Sequence, residues 1–301
     1  MLGIAVINYN TYEKTIDCIE SIRQYVNMDY KIYLLDNASP NKSGSILAQK
    51  YSGDEDIDLI LSKENLGYAR GNNVCINKMI EDQCKYGIVS NNDIVFGPNI
   101  DKLIGDLREN DNLLLVGPKI YLPDGGVQPS IKIKKYGKLE YLRKYTYLNR
   151  IFSKELRKEY KENETIDKFT TVEWVVGAFF AFSVQKMQKI GLFDPNTFLF
   201  YEEDILAAKA KKANMLLGYD PNVSVMHYHG ASTGGVLNVN TVIASTISEQ
   251  YYFNTYTDFG SSYSRLIRWI RFLEVALLSA KKNKWGNISI YVKGVRKGLE
   301  K

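Results

Sequence analysis

The sequence predicts an α/β protein: a Rossmann-like, mainly parallel central sheet with helices on both faces, continued by a helical C-terminal extension. Three observations predict it. Short apolar runs alternate with segments of helical spacing up to residue 130, Asn or Asp follows four successive strand ends, and the chain is helical in pattern from 241 onward.

The elements follow in order. LGIAVIN (2–8) is a short apolar strand. Residues 12–26 place Ile16, Ile19, Ile22 and Val26 at helical spacing. KIYLLD (31–36) is the second strand, and the polar NASPNKSG after it is a loop. Residues 44–51 form a short helix, IDLILS (57–62) the third strand, and 68–84 a helix with Val74, Ile76, Met79 and Ile80 inward. GIVSNND (87–93) is the fourth strand. Pro98 opens a helix through Leu107, a favoured place for proline, and LLLVGP (113–118) is the fifth strand. Strands separated by helices of this length pair in parallel through right-handed crossovers. Residues 131–170 fit no clean period and are expected to be an insertion.

Composition sets the limits. With 301 residues and 45% hydrophobic residues, the chain can bury a sizeable core. Cys18, Cys75 and Cys84 have no CxxC or His spacing, which fits reduced structural thiols and a cytosolic setting. Residues 2–7 already pattern as a strand, so no leader is expected, and no apolar run approaches the ~18–20 residues of a membrane span. The net charge of +5 conceals an asymmetry: residues 131–162 carry 11 Lys/Arg against 4 acidic residues, and 262–301 carry 10 against 2. Aromatic residues accompany both, Tyr136, Tyr141, Tyr145, Tyr147 and Phe152 in the first and Tyr263, Trp269, Phe272, Trp285 and Tyr291 in the second. Basic-aromatic segments of this kind suit a nucleic acid or an anionic membrane surface.

Ligands of such sheets bind beyond the carboxyl ends of the strands. Here those ends carry Asn8-Tyr9-Asn10, Asp36-Asn37, Asn65-Leu66-Gly67 and Asn92-Asp93. Asn and Asp favour turns, so each alone is ordinary, but together they form a polar rim around one ligand. Neither GxGxxG nor GxxxxGK[ST] is present. Asp93 instead offers hard oxygen to Mg²⁺ or Mn²⁺, which bind through one or two carboxylates plus substrate phosphates.

VINYN, LLDNAS, ENLGYARGNN and SNND, in this order, resemble the nucleotide-sugar half of a family-2 glycosyltransferase with the GT-A fold, of the bacterial rhamnosyltransferase kind. The likeness continues in WVVGAFFAF (174–182), IGLFDPNTFLFYEED (190–204) and VMHYHGAS (225–232), and spans roughly residues 2–235. It implies a catalytic domain over 1–237, with a nucleotide-binding half (1–120) and an acceptor half (121–237), and an extension over 238–301. It implies that Asn8 and Asn10 line the nucleotide pocket, and that Asp36 bonds the uracil or thymine edge. Asn65, Gly67 and Asn73 lie along base, ribose and sugar, with Asn92 beside Asp93, the last position of the metal-binding DxD element, whose first acid is Asn91 here. Gly177 and Ala178 let the backbone approach the donor sugar. Trp174 is open to two readings, a ring stacked on an acceptor sugar or a buried core side chain.

Inverting transfer needs a carboxylate to take the acceptor hydroxyl proton. YEED supplies Glu202, Glu203 and Asp204 before a helix over 205–213, although acids in a first helical turn are also ordinary dipole chemistry. The resemblance makes Asp204 the base, Glu203 its neighbour and Glu202 an acceptor contact; relatives with a second Asp have Leu206 at that place here. His227 and His229 follow the strand NVSVM, and the resemblance favours His227 as a metal or phosphate ligand, with Ser232 and Thr233 near phosphate oxygens. In 262–278, Leu266, Ile267, Ile270, Leu273 and Leu277 mark one helix face and Arg265, Arg268 and Arg271 another. The preferred use is an interfacial helix on an anionic leaflet, suited to a polyprenyl-diphosphate-linked or other glycan acceptor. A solvated core-packing helix or a homodimer contact competes with it. The expected place is the cytoplasmic side of the cell membrane, with no nucleic-acid partner. Two other classes remain: a sugar-phosphate nucleotidyltransferase, disfavoured because NYNTYEK is no Gly-rich basic loop, and a non-catalytic glycan- or RNA-binding protein.

Overall fold

A computed structural model of the chain describes residues 1–150, 165–228 and 238–300. Phe152, His229, Ser232 and Thr233 lie outside the described residues. The elements are β1 (Leu2–Asn8), α1 (Tyr12–Tyr25), β2 (Tyr30–Asp36), α2 (Ser43–Lys50), β3 (Ile57–Leu61), α3 (Gly67–Glu81), β4 (Tyr86–Asn91), β5 (Ile94–Val95), α4 (Asp101–Glu109) and β6 (Leu113–Tyr121). Then come β7 (Ile131–Lys132), α5 (Lys138–Tyr145), β8 (Thr170–Val172), β9 (Trp174–Val175), β10 (Phe179–Ser183), α6 (Val184–Lys189), α7 (Glu202–Lys212) and β11 (Leu216–His227), followed by α8 (Val239–Tyr256), α9 (Ser261–Lys281) and α10 (Gly286–Leu299).

Among the described residues the central sheet has nine strands in the order β3-β2-β1-β4-β10-β6-β11-β5, with β8 also on β11. β3, β2, β1 and β4 pair in parallel, as expected. The sheet is mainly parallel on this side and turns mixed at β10, which enters antiparallel between β4 and β6. Its five residues are all buried, and the Phe182 ring occupies the space above Gly87 that a β-carbon there would fill. The two faces of β1 separate by strand alternation: Ile4 and Val6 join the core under α1 and α4, and Ala5 joins the core under α3 and α7.

Pro98 does not open a helix. Asn99 follows it in the left-handed region (φ +65°), so α4 starts only at Asp101. Part of the expected insertion forms β7, paired with β9, and α5, packed on the C-terminal helices. In α9 the apolar residues do not share one face. Ile267 and Val275 are buried, whereas Leu266, Leu273 and Leu277 are exposed; Arg271 turns inward. The three cysteines are free and buried. Among the described residues no helix is long and apolar enough to cross a membrane.

Candidate active site

The carboxyl ends of β1, β2 and β4 are tied to the start of α1. Asn8 is fully buried; its Nδ2 donates to Asp36 Oδ1 (2.6 Å), and its Oδ1 accepts from Thr15 Oγ1 (2.8 Å). Asn92 is buried as well and donates to Thr11 Oγ1 (2.7 Å) and Thr15 Oγ1 (2.9 Å). These two amides fasten strand ends beneath the crevice rather than facing into it. Asp36 takes the Ser39 hydroxyl on Oδ1 (2.6 Å) and the Ser39 N–H on Oδ2 (3.1 Å), which leaves Oδ2 capacity for one more donor. Asn10 sits at φ +64°, and its buried Oδ1 has no partner among the described residues. Such an orphaned acceptor costs about 1–3 kcal/mol unless a ligand donor meets it.

Three sequence-predicted contacts serve the scaffold. Asn65 Oδ1 accepts from the Gly67 N–H (2.9 Å). Asn73 clamps the Phe193 backbone at both its N–H (3.0 Å) and its carbonyl (2.9 Å). Gly67 has φ +73°, and a β-carbon there would lie 2.2 Å from the Phe198 carbonyl oxygen. Its role is to let the 198 segment approach α3.

The chain turns at Asn92-Asp93, and β5 then pairs with the end of β11, setting His227 opposite Ile94. His227 Nε2 lies 3.1 Å from Asp93 Oδ1, while Nδ1 lies 2.7 Å from Gln128 Oε1. An amide oxygen only accepts, so Nδ1 carries the proton. With Nδ1 on Gln128, Nε2 is the ring nitrogen that faces the carboxylate oxygen. Two acceptors so placed fit a shared cation, with Gln128 fixing the tautomer behind the ligand. Asp93 and His227 could therefore supply a carboxylate oxygen and an imidazole nitrogen to Mg²⁺ or Mn²⁺.

On the other side of β10 lies the acid cluster. Gly177 N–H donates to Glu203 Oε1 (2.9 Å), and a β-carbon at Gly177 would collide with that carboxylate and with the Tyr68 hydroxyl. Next in the chain, the Ala178 carbonyl accepts from the Asn91 N–H (2.9 Å), so two consecutive residues span from the metal-side strand to the acids. α7 begins at Glu202, three residues earlier than expected, which puts all three acids in its first turn. Burial, then the Asp204 charge, raises the Glu203 pKa. Burial, then the Glu203 charge, pushes Glu202 up to about 8. The expected acceptor contact at Glu202 is corrected: the side chain is buried and off the cavity wall, with Oε1 unpartnered among the described residues. The two residues before it, Phe200 (φ +72°) and Tyr201 (φ +69°), are both left-handed at about 1–2 kcal/mol each.

Asp204 opens into a cavity of about 690 Å³ walled by β7, α5, α7, α8 and α9. Lys132 pairs with Asp204 Oδ1 at 3.1 Å and stands 4.3 Å above the Trp174 ring and 5.1 Å from that of Tyr145. Burial works against the ammonium, but Asp204 and Tyr145 outweigh it, and the Lys132 pKa is raised. Trp174 is half-buried and lines the cavity, so one face is given to Lys132. Sequence reasoning missed Gln128 and Lys132, which carry no motif and reach the site only through the fold.

The sheet order, with antiparallel β10 inserted beside the parallel β3-β2-β1-β4 half, is that of the GT-A class. The chain belongs to glycosyl transferase family 2, whose family model matches residues 3–189. It is 24% identical over 247 residues to the N-acetylglucosaminyl-diphospho-decaprenol L-rhamnosyltransferase of Mycobacterium tuberculosis, in strains CDC 1551 / Oshkosh and ATCC 25618 / H37Rv, covering 78% of each chain. The solved structure of GalNAc-T7 with UDP, GalNAc and Mn²⁺ matches with a TM-score of 0.58 at 13% identity. That match covers 93% of this chain and 57% of the other, so this chain spans somewhat over half its length, and the likeness is one of fold. The protein is a glycosyltransferase, which sets aside the nucleotidyltransferase and binding-protein alternatives.

Proposed function

We propose that the protein transfers a sugar, with inversion, from dTDP-rhamnose or a UDP-sugar to a hydroxyl of a polyprenyl-diphosphate-linked glycan at the inner face of the cell membrane. The observation that carries the reading is the span Gly177–Ala178, which holds Glu203 by one backbone group and the Asn91 end of the metal-side strand by the next. Donor and acceptor sides are thereby two residues apart. The acceptor class follows the M. tuberculosis relative, named for its N-acetylglucosaminyl-diphospho-decaprenol acceptor.

In this reading Asp36 Oδ2 receives the pyrimidine N–H, Asn10 Oδ1 a donor from the nucleoside, and Asp93 with His227 hold Mg²⁺ or Mn²⁺. The ion, when bound, neutralises diphosphate charge. The acceptor hydroxyl oxygen bonds to the anomeric carbon as the carbon–oxygen bond to the diphosphate breaks, and its proton passes to Asp204. Lys132 holds Asp204 Oδ1, which leaves Oδ2 for that proton. Glu203, fixed by the Gly177 N–H, lines the same cavity as a neighbour, and Trp174 offers its free face to an acceptor sugar. The test is a donor panel of dTDP-rhamnose, UDP-glucose, UDP-galactose, UDP-GlcNAc and GDP-mannose with either metal, read by thermal shift and nucleoside diphosphate release. One donor should stabilise the protein. Asp93→Ala should weaken that stabilisation, and Asp204→Asn should keep it while lowering turnover about 10²–10⁴-fold. If no donor binds with either metal, the assignment of the crevice fails.

The membrane placement rests on α9 and its neighbours. Leu266, Trp269, Leu273 and Leu277 recur at helical spacing and are each about half or more exposed, in a segment with ten basic and two acidic residues.

A further inference from the structure

The turn that delivers the acids is held from outside the catalytic sheet. Glu249 on α8 is 1% exposed, and its Oε1 accepts from Tyr201 (2.8 Å), from Tyr141 on α5 (2.5 Å) and from Arg271 Nη2 on α9 (2.8 Å). Arg271 Nε reaches Glu249 Oε2 (3.2 Å) and Nη1 reaches Glu274 Oε2 (2.9 Å); the Tyr141 and Tyr201 hydroxyls also touch. Burial keeps the Tyr201 phenol well above its usual pKa, so it stays a donor. α8 stitches the preceding segment too, through Ser248 Oγ to the Leu199 carbonyl (3.0 Å) and Tyr251 to Asp194 (2.8 Å).

Two consecutive non-glycine residues in the left-handed region persist only where their surroundings over-determine them. At Phe200–Tyr201 that constraint comes from α5, α8 and α9. We propose that Glu249 and Arg271 are positioning residues for transfer. Through the Tyr201 hydroxyl they hold the strained turn and so aim Glu203 at Gly177 and Asp204 at Lys132 and the cavity. This rests on the transferase reading and makes the C-terminal extension part of the catalytic machinery. Release of Tyr201 lets the turn relax and moves the first turn of α7, while the donor crevice, built on β1, β2 and β4, keeps its geometry.

The experiment uses the full chain with Tyr201→Phe, Glu249→Gln and the double variant, each first checked for near-UV circular dichroism and melting temperature. Steady-state turnover is measured against donor and acceptor, and Lys132 labelling by an amine-reactive reagent is quantified by mass spectrometry. Each single variant should lose at least tenfold in kcat with both KM values within about twofold. The double variant should be no worse than the poorer single, and Lys132 labelling should rise severalfold as Asp204 leaves it. Should Glu249→Gln fail to fold, Tyr141→Phe replaces it. Unchanged kcat and labelling in folded Tyr201→Phe, single losses that multiply, or a loss confined to acceptor KM would overturn the proposal. Lys132 labelling needs no turnover, so an inactive wild type counts against the transferase reading, while unchanged labelling counts against the clamp.

Discussion

Glu202 is an acid whose titration the fold controls. It is buried at the start of α7 beside Glu203, and its pKa is raised from 4.5 to about 8. A carboxyl with a raised pKa keeps its proton in the folded chain where the unfolded chain has released it. Its contribution to stability is therefore complete below about pH 4.5 and is lost as pH rises toward about 8. The slope is of order 1 kcal/mol per pH unit for one full proton. Glu202→Gln keeps the shape of the head group without the titration. The melting temperature of the wild type should fall relative to that of Glu202→Gln across this window, and the two curves should converge at its acid end. Parallel curves would mean that Glu202 is already ionised in the folded protein.

At the scale of elements, glycines show which approaches the fold requires. Gly67→Ala places a methyl 2.2 Å from the Phe198 carbonyl oxygen at φ +73°. The left-handed conformation alone costs about 1–2 kcal/mol, and the displaced backbone adds to it. The variant should lose at least about 2 kcal/mol in urea unfolding, and it should lower kcat because residue 198 leads into the Phe200–Tyr201 turn. Gly105→Ala, in the middle of α4 with open space around it, should instead gain about 0.5–1 kcal/mol. If both variants lose stability equally, the close approach at Gly67 is not what matters. The alternation of β1 to β4 with their helices was legible because period two and period 3.6 are local properties. The place of β10 was not, since its residues Phe179–Phe182 are apolar on both faces and Phe182 packs over a glycine 95 positions earlier in the chain. Asp93 and His227 were legible as polar residues ending apolar runs. Gln128 and Lys132 gained their meaning only from partners 99 and 72 residues away. In the sequence Arg271 groups with Arg265 and Arg268 as one of three cations on the outward face of an interfacial helix, because helical spacing cannot say that Ile267 packs inward while Leu266 does not.

At the scale of the whole molecule two surfaces differ in character, a crevice at the strand ends rimmed by Asn and Asp and a C-terminal bundle with exposed apolar and basic residues. Leu273 and Leu277 are 53% and 57% exposed, and Trp269 and Trp285 are 64% and 61% exposed. Exposed Lys281, Lys282, Lys284, Lys293 and Lys297 lie on the same two helices or the turn between them. A second copy of the chain seated on this face would set like charge against like charge, whereas an anionic leaflet takes both the tryptophans and the lysines. The full chain should therefore sediment with phosphatidylglycerol-containing vesicles and not with pure phosphatidylcholine. Each basic residue near the surface contributes about 1 kcal/mol, so each Lys→Gln change among these five should weaken binding about fivefold. Added salt should release the protein, because screening shortens electrostatic reach to about 3 Å at 1 M. Trp269→Glu with Leu273→Glu should abolish sedimentation while leaving donor-induced thermal stabilisation intact, since neither residue lies near the β1–β2–β4 crevice. A concentration-dependent dimer in analytical ultracentrifugation, lost in the same double variant and accompanied by no vesicle binding, would assign the face to a second subunit instead. The vesicle result also bears on the acceptor, because α9 joins the two sites: Leu278 and Val275 wall the cavity at Asp204, one and two residues along the helix from the exposed Leu277 and Leu273.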